Sequence, residues 1–267
     1  MKQISILGCG WLGFPLAQQL IDNGYRIFGA TTSKSKLLVL EIKGIIPFLI
    51  AVSSEGIDGD FISFLKDSEI LILNIPPKLR GVEKEDFIAK VQNIILAVET
   101  SSIKKVVFVS STSVYSDDNQ VITEETIPEP GSESGKQLLQ AEQLLQSNAK
   151  FETTILRFGG LIGNERHPIK FLAGKVNVEN PEAPINLIHI QDCIGIIQKI
   201  IEKDIWNEVF NAVAPFHPTR KEYYTKKAID MHLEIPEFNV EKPSIGKTIL
   251  SDKVTSVLGY TFTKSKL

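Results

Sequence analysis

The sequence has little of what would staple a chain, anchor it in a bilayer or bind it to a polyanion. Its 267 residues include two cysteines, Cys9 and Cys193. Two cysteines build no disulfide framework, and these two lack metal-ligand spacing, so a reducing cytoplasm is the expected compartment. No apolar run approaches the ~20 residues of a membrane span. The opening MKQISILGCGWLG carries one lysine and turns at once into strand and glycines, unlike a secretory signal. Basic excess is missing too: the formal net charge is −3, which argues against nucleic acid or an anionic membrane as the main partner. No His, Cys, Asp and Glu set has the spacing of a metal site. What is present is 43% apolar and 23% charged residues, the balance of a globular chain. The length is large for one small domain and small for two.

Short apolar runs alternate with helical patterns over the first ~155 residues. Strands are expected at Ile4–Leu7, Tyr25–Ala30, Pro47–Val52, Glu69–Leu73, Lys105–Val109 and Thr153–Arg157. Helices are expected at Phe14–Asn23, with Gly24 as its stop, at Lys34–Lys43, Lys84–Glu99 and Gly135–Gln146. Strands apolar on both faces, with helices between them, predict an α/β doubly wound parallel sheet. Residues 159–184 read as loops, Leu187–Ile190 as a strand, and Asp192–Glu202 as a helix capped by Asp192. The expected organisation is a sheet domain over 1–157 and a small C-terminal part over 158–267, of which 187–203 returns to the first.

Gly8-Cys9-Gly10-Trp11-Leu12-Gly13 fits GxGxxG, directly after the first strand and at the start of the first helix. In a Rossmann-type fold the first glycine permits the tight turn, the second lets the backbone approach a pyrophosphate, and the third lets helix pack on strand. The helix N-terminus adds N–H groups and partial positive charge. Gly8, Gly10, Trp11, Leu12 and Gly13 are therefore assigned to a dinucleotide. NAD binders usually carry an acid after the second strand. Here the chain runs Thr31-Thr32-Ser33-Lys34, with no acid between Asp22 and Glu41. Those four residues suit a 2′-phosphate, and NADP is favoured over NAD. The competing role of Ser33 and Lys34 is to cap the next helix.

Further segments resemble the extended short-chain dehydrogenases/reductases, the NAD-dependent epimerase/dehydratase superfamily. Phe108–Tyr115 (FVSSTSVY) resembles its strand-five signature, Thr123–Pro130 the loop that follows, Leu156–Gly163 its "LR…vyG" element, Ile188–Asp192 its "iHvdD" element and Phe210–Val213 its "yNv" strand. Gly10–Gly13 (GWLG), Ser111–Tyr115, Arg166–Lys175 (RHPIKFLAGK) and Gly246-Lys247 resemble an atypical branch of that superfamily. The resemblance implies a Rossmann-type sheet and a nicotinamide dinucleotide. It names no substrate.

The superfamily's reaction uses a Tyr and a Lys four residues on, at the start of the helix after strand five. The Lys lowers the Tyr pKa and holds the ribose. Aligned on Gly135 and Glu142, Ser134 stands at the Tyr position and Leu138 at the Lys position; a rival register uses Ser132 and Lys136. Neither has a tyrosine. Tyr223-Tyr224-Thr225-Lys226-Lys227 is a literal YxxxK, expected on a surface helix because that spacing only puts two side chains on one face.

The remaining candidates follow from position. Ser111 aligns with the superfamily's reactive hydroxyl and Thr112 neighbours it; both are candidate catalytic groups, although an unassisted serine is no base at neutral pH. Ser110, Asn74, Ile75 and Pro76 are expected at the cofactor. Ser113, Tyr115, Arg166, His167, Lys170 and Lys175 are expected around an anionic or sugar-like small-molecule substrate, with His167 titrating near neutrality. His189 is expected as a satisfied core histidine, Cys9 as a small spacer and Cys193 as a buried helix residue. Two functions stand open. One is an NADP-dependent oxidoreductase- or epimerase-like enzyme with a remodelled site. The other is a dinucleotide-binding redox sensor without catalysis. An ordinary sugar-nucleotide epimerase is disfavoured by the missing tyrosine. A monomer or a homodimer fits either, and Gln137, Gln140, Gln143 and Gln146 make the usual helical interface polar.

Overall fold

The computed structural model describes residues 2–77, 85–163 and 165–267. Lys84, the expected first residue of the fourth helix, lies outside them. Seven parallel strands form the central sheet: β1 (Gln3–Leu7), β2 (Arg26–Thr31), β3 (Ile46–Leu49), β4 (Ile70–Leu73), β5 (Lys105–Ser111), β6 (Glu152–Phe158) and β7 (Val209–Ala212). Their order is β7-β6-β5-β4-β1-β2-β3. The order reverses between β1 and β4, and such sheets bind ligands at that switch point, outside the carboxyl ends of the strands.

Helices cover both faces because the strands are apolar on both. Among the described residues the helices are α1 (Gly13–Asp22), α2 (Lys34–Ile42), α3 (Phe61–Leu65), α4 (Phe87–Glu99), α5 (Glu133–Gln146), α6 (Ile169–Leu172), α7 (Ile190–Lys203), α8 (Arg220–Asp230) and α9 (Asp252–Leu258). Leu16, Ala17 and Leu20 of α1 and Ile196, Ile197 and Ile200 of α7 pack with Ile4 and Ile6 on one face. Phe64 of α3, Phe87, Val91 and Ile94 of α4, and Leu138 and Leu145 of α5 pack with Leu71, Val106 and Phe108 on the other. A third cluster joins Ile162, Ile169, Ile185 and Leu187 to Tyr223 and Tyr224 of α8.

Four expectations about the elements change. The expected strand over Pro47–Val52 divides: β3 ends at Leu49, and Ala51–Val52 pairs antiparallel with Ile57–Asp58. The stretch read as loops holds a strand, Gly160–Ile162, paired with Leu187–His189, and the short α6. Asp192 does not cap α7. His189 does, its Nδ1 accepting from the Gln191 N–H at 3.2 Å, and it is half-buried at the end of the ribbon rather than in the core. Asp192 is fully buried one turn on and accepts from Tyr260 Oη at 2.8 Å and the Thr263 N–H at 2.7 Å, which hooks the C-terminal segment onto α7. Finally, α8 is not simply a surface helix, since both of its tyrosines are buried.

Candidate functional site

A cavity of about 490 Å³ opens at the switch point. Its walls come from the glycine loop, the ends of β2, β4 and β5, and the helices α4 and α5. Three glycines shape the loop in different ways. Gly8 has φ +107°, and a Cβ there would lie 2.2 Å from the Asn74 carbonyl oxygen. A Cβ at Gly13 would lie 2.2 Å from the Gly8 carbonyl oxygen. These two are required by the protein's own packing. Gly10 lines the cavity, and a Cβ there would meet no atom within 4 Å. Its missing side chain leaves room for something else, as the second glycine of a phosphate loop should. Asn74 fastens the loop from β4, its Nδ2 donating to the Gly8 carbonyl at 3.0 Å.

The cavity also meets the N-terminus of α1. The residue at its N-cap is Leu12, which offers no side-chain acceptor. By contrast, Asp60, Asp86, Ser132 and Thr219 cap α3, α4, α5 and α8 through side-chain oxygens. The Phe14 N–H donates to the Gly10 carbonyl at 3.0 Å and Pro15 has no N–H, so this end of α1 offers the cavity positive dipole more than free donors.

Most expected cofactor residues come together here. Gly8, Gly10, Trp11, Leu12, Thr31, Thr32, Asn74, Ile75, Pro76 and Ser110 all line the cavity, and Gly13 packs beneath. Ser33 and Lys34 do not. Ser33 occupies the N-cap of α2 without a side-chain bond to the helix, and its Oγ lies 2.9 Å from that of Ser35. Lys36, two residues beyond Lys34, reaches the cavity wall instead. Among the described lining residues the charged side chains are Lys36, Lys90 and Arg166, and none is a carboxylate. Lys90 was not anticipated; it is 4% exposed and pairs with Glu85.

At the β5 end, Ser111 lines the cavity and also accepts from the Ser113 N–H at 3.1 Å, capping the turn Thr112–Val114. Thr112 is buried and, like Ser113, stands off the cavity wall. Tyr115 does not face the cavity. It lies in a buried polar network, its hydroxyl accepting from Arg157 Nη1 at 2.6 Å and donating to Asn211 Oδ1 at 3.0 Å. Arg157 holds Glu142 through Nε at 3.2 and 3.1 Å and Nη2 at 2.6 Å, and Glu142 Oε1 accepts from Ser110 Oγ at 2.5 Å. Leu138, which the register on Gly135 and Glu142 would set at the superfamily's lysine, is an apolar part of the cavity wall.

Of the basic loop, only Arg166 reaches the cavity, with its guanidinium carbon 4.9 Å from the centre of the Trp11 ring. Lys170 and Lys175 are exposed and away from it. His167 points into the third cluster. Its Nδ1 accepts from the Ile169 N–H at 3.1 Å, and Nε2 lies 2.9 Å from Tyr223 Oη. Burial, then Lys227 and Lys170, lower its pKa to about 4, so it is neutral at physiological pH rather than titrating near 7. The Cys9 thiol is pushed up to about 12 by burial, which the backbone hydrogen bond with Ala30 only partly offsets. Cys9 is a packed spacer against Gly29, where a Cβ would lie 2.8 Å from its sulfur.

Protein YeeZ of Escherichia coli (strain K12) is 32% identical to this chain over 264 residues, covering 98% of this chain and 96% of YeeZ. The chain belongs to the YeeZ family. No family model matches it. Among solved structures, a conserved protein of unknown function from Silicibacter pomeroyi superposes with a TM-score of 0.80 at 19% identity, covering 100% of this chain and 95% of the other. UDP-glucuronic acid 4-epimerase from Bacillus cereus, in complex with NAD, superposes with a TM-score of 0.78 at 20% identity, over 98% and 91% of the two chains. This chain thus shares the fold of these two proteins.

Proposed function

We propose that this YeeZ-family chain binds a nicotinamide dinucleotide across the switch-point cavity, with NADP preferred, and acts on a small anionic or sugar-like molecule as an oxidoreductase- or epimerase-like enzyme. The observation that carries the reading is the cavity itself: room above Gly10, an uncapped α1, and a wall whose charges are cationic. The residues present fit the group. Gly8, Gly10 and the first turn of α1 would hold the pyrophosphate. Thr31, Thr32 and Lys36 would hold a 2′-phosphate, where an NAD binder would place a carboxylate for the ribose. Arg166, stacked on Trp11 at the mouth, would meet an anionic group of cofactor or substrate. When bound, the dinucleotide supplies hydride transfer at its nicotinamide.

The chemistry at the β5 end differs from the superfamily's. Ser134 and Leu138 provide neither phenol nor ammonium at the usual positions. Ser110 and Ser111 both place a hydroxyl on the cavity wall, but Ser110 has its proton committed to the Glu142 carboxylate at 2.5 Å, which leaves Ser111 as the candidate donor. A hydroxyl without a base moves a substrate proton only if the substrate is already activated. The same loss of Tyr and Lys is what a catalytically silent redox sensor would show, and this remains the second reading.

Calorimetric titration with NADPH and NADH tests the proposal. Tighter binding of NADPH, with the preference reduced at least tenfold in Lys36→Ala, is the expected result. Binding of neither cofactor would remove the dinucleotide reading. A preference unaltered by Lys36→Ala would remove the assignment of the 2′-phosphate site.

A further inference from the structure

Lysine is seldom buried, because desolvating its ammonium is costly unless the group is paired or has work to do. Lys90 is 4% exposed and lies on the otherwise apolar face of α4 with Phe87, Val91, Ile94 and Val98. An alanine or leucine there would satisfy the helix pattern equally well. The side chain instead reaches the cavity wall, which it shares with Ser110, Ser111 and Leu138. The neighbourhood is fixed by the packing of α4 on α5. The Phe87 N–H donates to Gln137 Oε1 at 3.1 Å, which ties the first turn of α4 to the residue preceding Leu138. Lys90 is three residues beyond Phe87, hence on the same face. Lys90 thus lines the cavity on the side that holds Leu138, with its ammonium paired to Glu85 at the start of α4.

We propose that Lys90 holds the ribose on the nicotinamide side of the dinucleotide, supplying from α4 the ammonium that the extended short-chain dehydrogenases/reductases supply from α5. This rests on the dinucleotide reading above. An ammonium offers three donors and no acceptor, which suits vicinal ribose hydroxyls. Leu138 is tolerated at the former lysine position because the charge arrives from the neighbouring helix. The replacement is then a relocation of the cofactor-holding group, and only the tyrosine is lost outright.

Two ligands separate the ends of the cavity. NADPH spans it, whereas adenosine 2′,5′-bisphosphate has the adenosine and its phosphates but no nicotinamide ribose. In Lys90→Met, close in length to lysine, calorimetry should show NADPH weakened at least tenfold, with the affinity for the bisphosphate unchanged. Lys90→Gln, which keeps a polar group in the wall, should show the same separation and serves if the methionine variant fails to fold. NADPH affinity equal to wild type in a folded variant would overturn the proposal. Equal weakening of both ligands would also overturn it, because Lys90 would then act on the whole fold. If wild type binds the bisphosphate and NADPH and only this separation is missing, Lys90 falls and the dinucleotide reading stands. If wild type binds neither, both fall.

Discussion

Exchanging one glycine at a time for alanine should split the phosphate loop into a structural half and a ligand half. Gly10 does not have a positive φ, and a Cβ there touches nothing within 4 Å. Gly10→Ala should therefore leave the ligand-free fold intact. Restricting the unfolded chain should even stabilise it by about 0.4–1 kcal/mol. For a chain of this size that is a rise of about 1–4 °C in melting temperature. Gly13→Ala is different. Its Cβ would come within 2.2 Å of the Gly8 carbonyl oxygen, a backbone atom held by Asn74 Nδ2 at 3.0 Å. Overpacking of that kind costs about 1–3 kcal/mol, more than the ~1 kcal/mol alanine gains over glycine inside a helix. Its melting point should fall by several degrees. Thermal melts without ligand, followed by NADPH titration, read both effects. The expected outcome is a Gly10→Ala protein that is at least as stable as wild type and has lost NADPH binding tenfold or more. A destabilised Gly10→Ala protein, or one with full NADPH affinity, would refute the assignment of Gly10 as the residue kept small for the ligand.

Two further outcomes follow from buried groups. His167 is held neutral, its pKa lowered from 6.5 to about 4, so the unfolded chain takes up the proton first as pH falls. Its contribution to stability is complete above pH 6.5 and is lost between 6.5 and 4. His167→Gln should flatten the melting-temperature profile across that window, and an unchanged slope would contradict the burial argument. Glu142 is fully buried against Arg157. Glu142→Gln should cost about 3–5 kcal/mol, because it leaves a guanidinium buried without its counter-charge. A denaturant midpoint within error of wild type would count against a buried pair.

Whatever depends on local rules was legible in the chain. The strands stand out as apolar runs of four to seven residues, and the glycine loop announces itself because turn, approach and packing each demand glycine at a fixed offset. What long-range packing decides was not legible. His167 sits in a stretch of Arg and Lys and reads as a substrate-side group titrating near neutrality, yet α8 buries it with Tyr223 and Tyr224. Asp192 has the sequence position of a cap, but the segment from Tyr260 to Lys264 returns to claim its carboxylate. The phase of α2 determines that Lys36 rather than Lys34 faces the cavity, the two lying about 200° apart around the helix. Lys90 was hidden by its own context, a single charge on a helix face whose other members signal core. Tyr223 and Lys227, at the YxxxK spacing, belong to α8 and the third cluster, and the tyrosine is buried rather than exposed, with the ammonium 5.7 Å from its ring centre.

The stacking of Arg166 on Trp11 also gives the protein an optical readout. The chain has two tryptophans. Trp11 sits on the cavity wall, beneath a guanidinium that any arriving anion would attract. Trp206 sits at the opposite ends of the strands, its Nε1 donating to Asp204 at 2.6 Å and Lys105 Nζ lying 5.5 Å from its ring. Ligand entry at the switch point should perturb the emission of one indole and leave the other steady. A Trp206→Phe protein would then report the movement of Arg166 as a single fluorescence signal, with no label added.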